Sequence, residues 1–204
     1  MKLPSRIQLA HLPTPISKLQ RLTERLGGPE IFIKRDDFTG AEITGNKVRK
    51  LEFAVAEALE KNCNMLITCG GLQSNNARAT AAAAAKLGIS SCLVLRGKPE
   101  EIPDGNYLLD LLLGAKIKFV TPEEYRFQMP VIFEETKKEL ESQGFRPYII
   151  PEGASNGIGT FGYVQAMKEI AQQEKELGLT FNKVVVAVGS GGTYGGLLLG
   201  SRLL

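Results

Sequence analysis

Histidine occurs once in 204 residues, at His11, inside a proline-flanked segment near the amino terminus. That scarcity argues against Ser-His-Asp chemistry and against multi-histidine metal sites, and it leaves lysine as the natural general base. The three cysteines, Cys63, Cys69 and Cys92, are odd in number and form no Cys-x-x-Cys pair. They predict reduced thiols in a cytoplasmic protein, with neither a disulfide framework nor a zinc site. No apolar run approaches the roughly 18 residues of a membrane helix, and residues 1–12 lack the apolar core of a signal peptide. Charge of one sign is lacking too: 25 basic and 22 acidic residues leave +3, with the bases scattered. A nucleic-acid partner is not indicated, whereas a small anion, which needs only a few local bases, stays open.

The 43% of hydrophobic residues is ordinary for a soluble globular chain of one or two domains. Strand and helix signals alternate. Strands are expected at 30–34, 65–68, 92–95, 116–120 and 147–150, with a strongly buried one at 183–188 (KVVVAV). Helices are expected at 47–61, from Ser74 or Asn75 to Leu87, at 106–113, at 122–143 with a break at Pro130, from Gly157 to about Leu177, and from near Thr193. The alanine-rich stretch 79–85 reads as a buried helix, and 36–44 as a loop. Such alternation predicts βαβ units and a mostly parallel sheet. The last helix would run to Leu204 without a stop signal, which predicts a large domain that is incomplete or a protein that is naturally short.

Three segments carry chemistry. The first, Gly189, Ser190, Gly191, Gly192 and Thr193, lies between an apolar strand and a helix. Its glycines let successive N–H groups turn toward one anion at a helix start, and the two hydroxyls add donors. Phosphate is the natural guest, and the plain alternative is a tight turn with no ligand. The second is Gly45-Asn46-Lys47-Val48-Arg49-Lys50. Lys47 sits at a helix start with Lys50 one turn on, and the helix dipole and neighbouring bases favour a free amine suited to Schiff-base formation. Alone, it reads more simply as a solvated basic helix start. The third, from Gly70 through Gln73, Ser74, Asn75 and Asn76, can hold an anion such as a substrate carboxylate or be a mere N-cap cluster. In an open α/β sheet such loops gather at the carboxyl ends of strands, so one aldehyde- and phosphate-bearing cofactor would use all three.

At these residues the sequence resembles the family of 1-aminocyclopropane-1-carboxylate deaminase and D-cysteine desulfhydrase, pyridoxal-phosphate enzymes of the tryptophan-synthase-β fold type. The matching segments are Leu12-Pro13-Thr14-Pro15, Ile33-Lys34-Arg35-Asp36-Asp37, Gly45 through Glu52, Gln73-Ser74-Asn75, Gly153-Ala154-Ser155-Asn156 and the loop from Gly189 to Thr193, in family order. The resemblance implies that Lys47 binds pyridoxal phosphate covalently and that Lys50 is a base on the phosphate side. Gly189, Ser190, Gly191, Gly192 and Thr193 would cradle the phosphate, with Asn75 beside the ring hydroxyl. Ser74 would stand next to the substrate as a catalytic residue, and Gln73 would help hold its carboxylate. Thr44 replaces a usual glycine and Asn76 a common histidine, so substrate choice is less fixed than cofactor.

The expected architecture is therefore α/β, two three-layer domains with mostly parallel sheets: an incomplete large domain from 1–51 and 159–204, and a small domain from 52–158. The expected activity is that of a pyridoxal-phosphate-dependent lyase on a small amino acid. D-cysteine converted to pyruvate, sulfide and ammonia comes first, because 144–148 and 153–156 read closer to the desulfhydrase branch. The alternatives are 1-aminocyclopropane-1-carboxylate deamination, L-cysteate sulfo-lyase activity, and a non-catalytic remnant that only binds cofactor or partner. The family also implies a homodimer.

Overall fold

The structure is a computed structural model that describes residues 4–40 and 43–204. Residues 1–3 of the amino-terminal segment, and Ala41 and Glu42 of the loop expected at 36–44, lie outside the described residues. Strand β1 (Ile16–Lys18) leads into helix α1 (Gln20–Leu26), which ends at Gly27 in the left-handed conformation. Strand β2 (Phe32–Lys34) pairs antiparallel with β1, and a 3-10 turn at Asp36–Phe38 follows. Helix α2 (Asn46–Glu60) then carries Lys47 in its first turn.

From there βα units build one parallel sheet. Strand β3 (Met65–Gly71), helix α3 (Asn75–Lys86), strand β4 (Ser90–Arg96), helix α4 (Gly105–Leu112) and strand β5 (Lys116–Val120) succeed one another. Helices α5 (Pro122–Phe127) and α6 (Met129–Ser142) precede strand β6 (Pro147–Ile149). The strand order is β5-β4-β3-β6, all pairings parallel. The expected break at Pro130 falls at Gln128, whose φ −123° and ψ 3° separate the two helices and leave Pro130 in the first turn of α6, where its missing N–H is harmless.

Alternation along the strands sorts the layers. Leu66 joins α2 and α3 on one face. Met65, Ile67 and Cys69 turn to the other face, against Ile132 and Leu140 of α6. Leu93 and Leu95 of β4 pack under Ala77 and Ala81 of α3. Helix α7 (Gly157–Leu177) opens at Asn156, whose side chain accepts from the Gly159 N–H, and packs against α2 and against helix α8 (Gly192–Leu203).

One expectation fails. Residues 183–188 form no strand and are not buried: Val185 is 96% exposed. A valine-rich run has the side chains of a buried strand, but a strand exists only where a neighbour takes its backbone groups, and none of the described residues makes a backbone hydrogen bond to this one. Only Val186 is packed, on Tyr163, Ala166 and Leu197.

Candidate functional site

Helix α2 is held from behind by a buried ionic network. Arg49 is 1% exposed. Its Nε and Nη2 donate to the two Asp36 carboxylate oxygens at 2.9 and 2.8 Å, and its Nη1 donates to Glu169 at 2.9 Å. Lys34 also donates to Glu169, and Tyr163 donates its hydroxyl proton to Asp36 at 2.6 Å. Burial alone would lower the Arg49 pKa, but the Glu169 and Asp36 carboxylates more than reverse this and keep it charged. The network ties the amino-terminal arm, the 3-10 turn, α2 and α7 together two residues along α2 from Lys47. Glycine 162 lets the helices close: a Cβ there would lie 2.3 Å from the Arg49 carbonyl oxygen and 2.8 Å from the Lys50 nitrogen.

Lys47 and Lys50 face a cavity of about 560 Å³, which Asn46, Ser190, Gly191 and Thr193 also line. The Lys47 ammonium donates to Asn46 Oδ1 at 3.2 Å. Burial lowers its pKa, and the Glu152 carboxylate opposes the shift. The downward shift expected at Lys47 thus has a cause other than the helix dipole and neighbouring bases: desolvation. Lys50 shows the like-charge effect more clearly. Burial, then the charge of Lys47, pushes it down to about 8.

Ser155 is the hub of this cavity. Its Oγ accepts from Lys50 Nζ at 3.2 Å and from the Gly192 N–H at 3.2 Å, and lies 2.7 Å from Ser190 Oγ. Asn46 Nδ2 donates to Thr193 Oγ1 at 3.1 Å. The two sequence segments around Lys47 and residues 189–193 therefore meet directly. Gly191, in the left-handed region at φ 86°, starts α8 without a side-chain cap, so the helix offers first-turn N–H groups to the cavity. Gly192 must lack a side chain, because a Cβ would fall 2.5 Å from Ser155 Oγ and 2.9 Å from its Cα.

The 70–76 segment is built differently. Ser74 caps α3, its Oγ accepting from the Ala77 N–H at 3.2 Å. Gln73 Nε2 donates to Asp104 at 2.8 Å and its Oε1 accepts from the Asn106 N–H at 2.7 Å. Asn75 Oδ1 accepts from Asn106 Nδ2 at 2.9 Å. The side chains of Gln73 and Asn75 are thus committed to the start of α4. Gln73 and Ser74 line a second, open cavity of about 510 Å³ with Gly70, Gly71, Arg96 and Glu152. Asn75 lines neither of these two cavities. Glu152 connects them, since its charge acts on Lys47. Asn76 is buried, donating to Thr68 Oγ1 at 2.8 Å.

Sequence reasoning assigned no role to Asn46, Ser155 or Glu152. Asn46 and Ser155 stood inside the segments that carried the resemblance, which was the signal available for them. Glu152 had none.

A family profile described as "Pyridoxal-phosphate dependent enzyme" matches residues 7–204. A putative 1-aminocyclopropane-1-carboxylate deaminase of Thermotoga maritima is 48% identical over 98% of this chain and 62% of its own length. A D-cysteine desulfhydrase of Serratia proteamaculans is 45% identical over 98% of this chain and 61% of its own. The crystal structure of an ACC deaminase homologue superposes with a TM-score of 0.85 at 43% identity, over 98% of this chain and 59% of that one. The chain spans about three-fifths of the length of these relatives.

Proposed function

The chain belongs to the pyridoxal-phosphate-dependent enzymes, and from that premise we propose that it is the cofactor-holding part of a lyase acting on a small amino acid, with D-cysteine as first substrate. The observation that carries the reading is Lys50. It is 1% exposed, yet none of the described residues brings a carboxylate to it, and its ammonium meets only Ser155 in the cradle. An uncompensated buried cation is expensive, and an anion beside it removes the expense. The uncapped start of α8 and the Cβ-free approach of Gly192 to Ser155 suit the same guest, a phosphate.

Pyridoxal phosphate therefore fits the residues present. Gly189, Ser190, Gly191, Gly192 and Thr193, with Lys50 and Ser155, would hold its phosphate and Lys47 its aldehyde end; the resemblance alone puts Asn75 on its ring side, since its side chain here is held by Asn106. When bound, the cofactor supplies an electron sink for the carbon beside the substrate amine. Lys47 Nζ, its pKa lowered by burial, is the base that takes the Cα proton. Ser74 is the catalytic hydroxyl next to the substrate, and it shares with Gln73 the task of holding the carboxylate. The hydrogen bonds of Gln73 to α4 make it a brace for that loop as much as a direct contact.

The relatives named D-cysteine desulfhydrase and 1-aminocyclopropane-1-carboxylate deaminase support the substrate class. The reading includes a division into 1–51 with 159–204 and 52–158. It also includes a cytoplasmic homodimer, in keeping with three free thiols.

Two measurements test it. Purified chain given pyridoxal phosphate should develop the visible absorption of a lysine-bound cofactor, and Lys47→Ala should abolish it. D-cysteine should then yield pyruvate and sulfide faster than L-cysteate yields pyruvate or 1-aminocyclopropane-1-carboxylate yields 2-oxobutanoate. An absorption band with no product from any of the three would reduce the function to binding, and no band would sink the cofactor site itself.

A further inference from the structure

The open cavity of about 510 Å³ shares no lining residue with the one assigned to the cofactor. It lies at the carboxyl ends of β3 and β4, where ligands of a parallel sheet bind. Besides the loop residues Gln73 and Ser74, three charged side chains line it: Arg96 at the end of β4, Glu100 in the loop before α4, and Glu152 after β6. Among the described residues none of the three is in an ion pair. Arg96 is nevertheless held from two sides. Its guanidinium carbon lies 5.2 Å from the centre of the Tyr125 ring, and a Cβ on Gly71, its register partner in β3, would be 3.7 Å from its Nη2. Tyr125 is itself fixed, packed on the sheet with its hydroxyl donating to Cys69 Sγ at 3.5 Å. An aromatic face steadies a guanidinium without neutralising it, so the fork of N–H groups stays available to a carboxylate.

We infer that this cavity reads the free substrate as a zwitterion: Arg96, beside Ser74 and Gln73, receives its α-carboxylate, and Glu152 receives its α-ammonium. Arg96 and Glu152 are then specificity residues, which admit free amino acids and turn away amidated analogues and 2-hydroxy acids. The balance of charge selects this guest. One cation and two carboxylates repel a multiply charged anion such as phosphate, and they suit a molecule that carries a positive charge next to a negative one. Glu152 also gives the guest a direction. Its charge acts on Lys47 as well as on this cavity, so an ammonium held by it is turned toward the lysine. The inference rests on the reading that the substrate is a small amino acid, and it adds two residues to which neither the sequence nor the cofactor cavity gave a part in binding.

The test needs neither cofactor nor turnover. The 204-residue chain is titrated with D-alanine, which has no leaving group, with D-lactate, which lacks the ammonium, and with D-alaninamide, which lacks the carboxylate. Affinities are read from the NMR shifts of the Gly71 and Ser74 amides. D-alanine should bind about fivefold or more tightly than either analogue. Arg96→Gln should lose the preference over D-alaninamide and keep the preference over D-lactate. Glu152→Gln should do the reverse. This crossed pattern is one that a merely structural role would not give. Both side chains are exposed, so circular dichroism of each variant should match the parent chain. No binding of D-alanine by the folded chain, affinities untouched by either substitution, or equal loss of both preferences in each variant would overturn the inference. The cofactor reading fails separately. A chain that shows the crossed pattern but takes up no pyridoxal phosphate keeps this subsite and loses the cofactor, whereas a lysine-bound cofactor band without the pattern keeps the cofactor and loses the subsite.

Discussion

Lys50 and Asp110 are both buried charges, and their environments have opposite consequences for pH. The folded pKa of Lys50, about 8, lies below its ordinary 10.5. Between those values the unfolded chain binds more protons, so stability rises as pH climbs from about 8 to 10.5, and below 8 the full burial penalty applies. Lys50→Met should therefore raise the stability of the ligand-free chain at pH 7 by about 1–3 kcal/mol and flatten that rise, as thermal melts at pH 7 and 10 would show. Inorganic phosphate should stabilise the parent chain at pH 7 and do little for the variant. Stabilisation of the two by phosphate to the same extent would remove Lys50 from the anion site. Asp110 is fully buried, and neither carboxylate oxygen has a hydrogen-bond donor among the described residues. Burial pushes its pKa up to about 7, with the charge of Arg78 opposing. Here the folded chain holds the extra proton, so stability falls as pH rises from about 4 to 7. Asp110→Asn should cancel that fall and gain about 1–3 kcal/mol at pH 8, measured by urea unfolding.

At the scale of elements, the site is a matter of how closely α2 lies against α7. Gly162→Ala would force a Cβ into the Arg49 carbonyl, backbone against backbone, so the helices must part. A loss of about 2–4 kcal/mol is expected, together with weaker cofactor uptake, because Lys47 and Lys50 ride on the displaced helix. Unchanged uptake in a folded variant would show that α2 placement does not set the cavity. Arg49→Met should cost about 3–5 kcal/mol by leaving Asp36 and Glu169 without their main counter-charge. The helices were legible because their signals are local: Ser74 announced α3, and the apolar spacing of Leu51, Val55 and Ala58 announced α2. Strand β1 and helix α1 carried no comparable pattern, since α1 has no buried residue. The run 183–188 misled for a related reason. Composition reports what a strand would bury, and pairing depends on a neighbour that lies elsewhere. The hub at Ser155 was equally out of reach, because it joins Lys50 to a residue 105 positions away. Nothing local in Gln73 or Asn75 tells that α4 would occupy their side chains.

Across the whole molecule these differences should appear as a gradient of local stability. Strands β3 and β4 are paired along seven residues and packed on both faces, so their amides can exchange only when the chain unfolds as a whole. For a stability of about 5 kcal/mol or more that corresponds to protection of roughly 10⁴-fold. The amides of residues 183–188 have no partner among the described residues and should exchange near the rate of an unstructured peptide. The start of α8 lies between these limits. It is tied to α7 by close packing, where a Cβ on Gly196 would come within 2.5 Å of Thr160 and Tyr163, and its first turn is open to the cavity. Adding pyridoxal phosphate should slow exchange at Gly192 and Thr193 and at the first turn of α2, in proportion to RT ln(1 + [ligand]/Kd). It should leave 183–188 fast, because this run lines the cavity without a backbone bond to any described residue. Hydrogen exchange read by mass spectrometry separates the two sites in one experiment. Protection of 183–188 by cofactor would mean that this run and the phosphate cradle form one cooperative unit, whereas protection confined to Gly192, Thr193 and the first turn of α2 would show that the two open independently.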